Sequence, residues 1–108
     1  DIVLVPSRSE SFGLVALEAA ACGAPVIAAS VGGLKDLIVH GETGFLVDER
    51  EPMAYARYAS QVLNNPLLAA EMAMSAAEKA RKYSWNKTAN QILRIYDSVT
   101  AKALVDCR

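Results

Sequence analysis

The hydrophobic positions of this 108-residue chain fall into short runs that alternate with helix-favouring stretches. Residues 1–5, rich in Ile and Val and closed by Pro6-Ser7, have the continuous apolar pattern of a strand covered on both faces of a parallel sheet. Residues 14–22 favour helix and stop at Gly23, with Pro25 just beyond. Residues 25–29 predict a second buried strand. Gly32-Gly33 opens a loop into a short helix over residues 34–39, and His40-Gly41-Glu42-Thr43-Gly44 predicts a tight turn whose glycines are free to take positive φ. Residues 45–47 form the third predicted strand. One helix then starts at Glu51-Pro52 and ends near Asn64-Asn65-Pro66, and two more amphipathic helices cover residues 67–82 and 84–104.

Strand, helix, strand, short helix, strand and then helices is the order of a doubly wound α/β sheet. The expected fold class is α/β: a Rossmann-like half with three short parallel strands, flanking helices and a helical C-terminal tail. A chain that opens on a core strand, without an initiator Met, reads as a piece of a longer protein. As an isolated piece it is expected to be inert.

Composition narrows the function. A content of 53% hydrophobic and 21% charged residues excludes disorder. Eleven bases against twelve acids argue against a general nucleic-acid binder, which needs many cations to neutralise phosphates. The acids lean to the first half, and the bases of the second half are interspersed. That pattern reads as a solvated helix face, the alternative being a docking surface for another domain or an anionic membrane. The longest apolar stretch, residues 14–29, is broken by Glu18, Gly23 and Pro25, short of the roughly 20 residues of a membrane span. Cys22 and Cys107 show no disulfide or zinc spacing and read as reduced thiols, so the expected location is cytoplasmic, with membrane association left open.

The segment Ser7-Arg8-Ser9-Glu10-Ser11-Phe12-Gly13-Leu14-Val15-Ala16-Leu17-Glu18 carries the most chemistry. It leaves a strand and enters a helix, at the carboxyl edge where open α/β sheets bind ligands. Gly13 lets a ligand approach the backbone, and the amides from Phe12 to Val15 are the free donors of a helix start, suited to an anion such as a diphosphate. The alternative is a plain helix start capped by Ser9 or Ser11. Glu18 is the one polar residue in a helix that reads as buried nearly all round, where an ionised carboxylate needs a partner. Eight positions separate it from Glu10, about 12 Å if all were helical, a span that lets two carboxylates grip an elongated, hydroxyl-rich ligand. A structural salt bridge or a solvent-facing stripe accounts for Glu18 equally well. His40 reads as a surface turn residue, and Tyr83 and Trp85 as core anchors. Gly32-Gly33 lacks dinucleotide-loop spacing, and no metal-ligand spacing occurs.

At these residues the chain resembles the retaining GT-B glycosyltransferases, glycosyltransferase family four especially. The likeness rests on Glu10 and Glu18 enclosing Phe12-Gly13-Leu14, and on Asp1-Ile2-Val3 and Pro6-Ser7 before them. It continues through Ala21-Cys22-Gly23-Ala24-Pro25-Val26-Ile27-Ala28, Val31-Gly32-Gly33, Gly41-Glu42-Thr43-Gly44-Phe45-Leu46-Val47 and Tyr83-Ser84-Trp85, so it spans essentially the whole chain. Within the family, the run from Ser9 to Val15 followed by Ala21-Cys22-Gly23 looks most like the mycothiol-pathway enzymes that join N-acetylglucosamine to inositol phosphate. Sucrose-phosphate synthases are similar.

The resemblance implies the donor-binding, C-terminal part of an enzyme that transfers a sugar from a nucleotide-diphosphate-sugar, a UDP-sugar by this likeness, to an acceptor hydroxyl with retention. Glu10 would be the catalytic-site carboxylate that accepts hydrogen bonds from the sugar hydroxyls, with the amides of Ser11, Phe12 and Gly13 seating that sugar. Amides of Leu14 and Val15 would hold the diphosphate, and Glu18 the ribose diol. Neither cofactor nor metal is implied; departure of the diphosphate would rely on cations and helix amides. The acceptor-binding N-terminal domain of the parent chain, with the Arg/Lys pair that neutralises the diphosphate, would precede residue 1. Two departures stand out: Lys35 and Asp36 follow Leu34 where family members usually carry Pro-Glu, and Arg8 is the only base near the motif. The competing classes are a sugar-nucleotide epimerase, which wants a histidine or acid pair where only His40 is offered, and a receiver-like interaction domain, which wants clustered acids where Asp1 stands alone.

Overall fold

A computed structural model describes residues 1–106, so Cys107 lies outside the described residues. Strands β1 (Val3–Val5), β2 (Val26–Ala29) and β3 (Gly44–Val47) form one parallel sheet in chain order. β1 pairs with β2 from Val3↔Val26 to Val5↔Ala28, and β2 with β3 from Val26↔Gly44 to Ala29↔Val47. Helix α1 (Leu14–Ala21) joins β1 to β2, and α2 (Leu34–Leu37) joins β2 to β3. Helices α3 (Pro52–Leu63), α4 (Pro66–Ala80) and α5 (Trp85–Asp106) follow. This is the expected α/β architecture, with parallel strands, flanking helices and a helical tail.

The apolar run of β2 is buried throughout, and its two-residue alternation divides the core. Val26 and Ala28 join Val5, Ala16, Leu34, Leu37 and Ile38 on the α1 and α2 side. Ile27 joins Phe45, Val47, Ala54, Val62 and Met72 on the α3 and α4 side. β1 departs from the expectation of burial on both faces. It is an edge of the sheet among the described residues, and Leu4 is 49% exposed along an open cleft.

Helix α1 also departs. Only Ala16 is buried, because one side of the helix meets the sheet and another meets α4, which leaves a stripe of positions 14, 15, 18, 21 and 22 open. Helix α2 is shorter than predicted, since Ile38 is already extended. The turn before β3 is closed by buried Thr43, whose Oγ1 accepts the Val39 N–H at 2.9 Å, and Gly41 takes the positive φ. Asn65 accepts the Leu68 N–H and Pro66 fills the first position of α4, so two adjacent residues separate α3 from α4. Tyr83 and Trp85 are not core anchors: both are exposed, as is every described side chain of α5. Among the described residues no helix is long and apolar enough to cross a membrane.

Candidate functional site

Helix α1 begins on an unusual backbone. Gly13 has φ 98° and ψ 47°, a left-handed conformation costly for any residue with a Cβ, and its carbonyl accepts the Leu17 N–H at 3.0 Å. A Cβ there would also meet Leu34 Cδ2 at 2.8 Å. No side chain caps α1, so the reading in which Ser9 or Ser11 does so is overturned. Leu14 and Val15 are exposed. The first-turn amides therefore stay available to an anion, at the positive end of the helix dipole.

The loop ahead of Gly13 is held by backbone fit. Gly33 N–H donates to the Glu10 carbonyl at 3.0 Å. A Cβ on Gly32, whose φ is +50°, would fall 1.8 Å from that same oxygen, and a Cβ on Gly33 would fall 2.5 Å from the Ser11 carbonyl. The glycine pair is thus a close-packing surface for residues 10–12. On the other side the Phe12 ring meets Tyr83 edge to face, with centroids 5.8 Å apart.

Glu10 is half-buried, and Ser7 Oγ donates to its Oε1 at 3.4 Å. It faces a concavity of about 580 Å³ lined also by Arg8, Ser9, Ser11, Ser30, Gly32 and Lys35. Arg8 is therefore not the only base near the motif. Lys35 lines the same space, and Arg50 Nη2 donates to the Arg8 carbonyl at 3.4 Å from the loop after β3. Spacing along the chain carries no signal of either approach, because both depend on how loops meet at the carboxyl edge of the sheet.

Glu18 is exposed, so it is not the isolated carboxylate of a fully buried helix. Residues 10–13 are loop, so the span of 12 Å for an all-helical separation does not apply. Only the step from Leu14 to Glu18 is helical, a rise of about 6 Å. That step places Glu18 one turn below Leu14 on the same open stripe. The solvent-facing alternative raised by the sequence describes its surroundings, and the first-turn amides sit at the head of that stripe.

Other candidates resolve as structure. His40 Nδ1 accepts the Leu46 N–H at 3.0 Å, and its ring lies edge-on to Phe45 and Tyr58, which stack on each other at 4.5 Å. A mostly apolar cleft of about 520 Å³ runs between Leu4, Ala29, Val47 and α3, and it shares Ser30 and Val31 with the concavity at Glu10. Tyr55 lines it; burial raises its pKa above the usual 10.0, partly opposed by the Arg50 charge. Cys22 is a free, exposed thiol.

A parallel α/β half with this edge has the fold of the C-terminal domains of GT-B glycosyltransferases. Sucrose-phosphate synthase from Thermosynechococcus elongatus superposes with a TM-score of 0.86 at 38% identity, over 93% of this chain and 26% of that one. Anabaena HepE in complex with UDP and glucose superposes with a TM-score of 0.79 at 33% identity, over 93% of this chain and 27% of that one. The chain belongs to the family of glycosyl transferases group 1, which matches residues 1–83. D-inositol 3-phosphate glycosyltransferase of Corynebacterium glutamicum (strain R) is 48% identical over 106 residues, covering 98% of this chain and 25% of the relative. The same enzyme of Frankia alni is 46% identical over 103 residues, covering 95% and 25%. The chain thus spans about a quarter of the length of the curated relatives it matches.

Proposed function

We propose that this chain is the donor-binding part of a retaining glycosyltransferase that uses a nucleotide-diphosphate-sugar, with UDP-N-acetylglucosamine as donor and an inositol phosphate as acceptor. The observation that carries the reading is the α1 N-terminus. It is uncapped, opened by left-handed Gly13, and flanked by one carboxylate before it and one a turn below it. Diphosphate oxygens accept from the Leu14 and Val15 amides, where the helix dipole favours negative charge. Glu18, on the same stripe, accepts from the ribose diol. Glu10 accepts from hydroxyls of the transferred sugar, which the amides of Ser11, Phe12 and Gly13 seat. The C1–O bond to the diphosphate breaks as the bond to the acceptor oxygen forms on the same face, and the acceptor proton passes to the leaving diphosphate. No step in this scheme draws on a cofactor. The relatives' names and the UDP in the HepE complex support the donor class and the acceptor.

The remaining three quarters of the relatives' length supports an acceptor-binding N-terminal domain in the same parent chain, which also supplies cations for the diphosphate. The exposed thiol of Cys22 suits the reducing cytoplasm. A hydrogen bond to a charged group contributes about 1.5–3 kcal/mol. In the complete protein, Glu18→Ala should weaken UDP binding roughly tenfold or more by titration calorimetry. Unchanged affinity for UDP would remove Glu18 from the site.

A further inference from the structure

We propose that Tyr83 is a positioning residue for the sugar-seating loop and acts through Phe12. The inference rests on the donor reading above, in which the amides of Ser11, Phe12 and Gly13 hold the sugar. That loop has two supports of different kinds. On the β2–α2 side, Gly32 and Gly33 set a hard limit through backbone contact. On the opposite side stands the Phe12 ring, 41% exposed, whose aromatic partner is Tyr83 at 5.8 Å with an interplanar angle of 74°. Gly13, next in the chain, is buried but contributes no side chain, so the Phe12 ring is the side chain by which this part of the loop meets the end of α4.

Tyr83 is itself anchored. Its N–H donates to the Ala80 carbonyl at 3.0 Å, at the end of a helix whose Met72, Ala76 and Ala80 are buried. It also borders the narrow crevice between α1 and α4 with Ala16, Leu17, Ala20 and Ala76. The backbone of Tyr83 is therefore held at the end of α4 while its ring meets Phe12. The Leu14 and Val15 amides are fixed by the helix, and Glu18 lies a turn below. The sugar subsite then depends on Tyr83, whereas the diphosphate and ribose subsites do not. Pre-organised geometry of this kind is what a seated substrate rewards.

The test is calorimetric titration of UDP and of UDP-N-acetylglucosamine into the complete protein and its Tyr83→Ala, Tyr83→Phe, Phe12→Ala and Phe12→Ala/Tyr83→Ala variants. An edge-to-face pair is worth roughly a two- to tenfold change. Tyr83→Ala is expected to weaken the UDP-sugar about fivefold and UDP less than twofold. Tyr83→Phe should match wild type, and the double variant should be no weaker than the weaker single one. Tyr83→Leu, which keeps bulk in the crevice, carries the test if the alanine variant does not fold. Equal losses for UDP and UDP-sugar, multiplying losses in the double variant, or no loss at all would overturn the inference alone. A wild-type protein that binds neither compound would overturn the donor reading, and this inference with it.

Discussion

Gly32→Ala is the substitution that most directly probes how the Glu10 loop is built. The added Cβ would lie 1.8 Å from the Glu10 carbonyl oxygen, and real Cβ atoms essentially never approach within 3.0 Å, so the two loops have to part. Parting them breaks the Gly33 N–H bond to that oxygen, a loss of about 1 kcal/mol. Holding alanine at φ +50° costs a further 1–2 kcal/mol or so. A total of about 2–3 kcal/mol is a large share of the roughly 5–15 kcal/mol of a typical domain, yet leaves it folded. The functional effect is larger than the structural one. A displacement of about 1 Å in a seating group can cost roughly a hundredfold in rate. Gly23→Ala is the matched control, because φ there is +73° but a Cβ would meet nothing within 4 Å. It should lose the conformational term only and leave turnover alone. Denaturant midpoints and sugar-transfer rates of the complete protein are the measurements. If Gly32→Ala turned over sugar as well as Gly23→Ala, the close approach would have no part in placing Glu10.

Three further outcomes are expected. Glu10→Gln should lower turnover with the UDP-sugar far more than it lowers affinity for UDP, measured by initial rates and calorimetry; equal losses would refute the division between sugar and nucleotide. His40→Ala should cost about 1 kcal/mol of stability in urea unfolding, since the Leu46 N–H loses its acceptor, with no change in UDP affinity. The raised pKa of Tyr55 in the folded chain stabilises the fold below the unfolded value of 10.0 and ceases to do so as pH rises past it. Melting temperatures of wild type should accordingly fall relative to Tyr55→Phe above pH 10, and parallel curves would exclude that contribution.

The sequence by itself determined the order of the elements and most of their boundaries. Val26–Ala29, a run of small and branched apolar residues, could only be a covered strand, and it is buried at every position. Gly13 before an apolar helix, Gly23 after it, and Asn65-Pro66 between two helices mark boundaries because each limits or frees φ, ψ and capping at its own position. The segment from Glu10 to Glu18 was legible as the turn from β1 into α1 for the same reason: strand-to-helix order puts it at the carboxyl edge of the sheet. What tertiary structure decided is which distant backbone touches that loop. Gly32-Gly33 looked like an ordinary loop and is the packing surface of Glu10 and Phe12, Tyr83 stands against Phe12 from 71 residues away, and Arg50 reaches the Arg8 carbonyl. The exposure of Glu18 was likewise set by α4, which covers one flank of α1 and leaves the other open. Hydrophobic period records whether a face is covered, not by what or how closely, and contacts made of glycine and carbonyl oxygen leave no period at all.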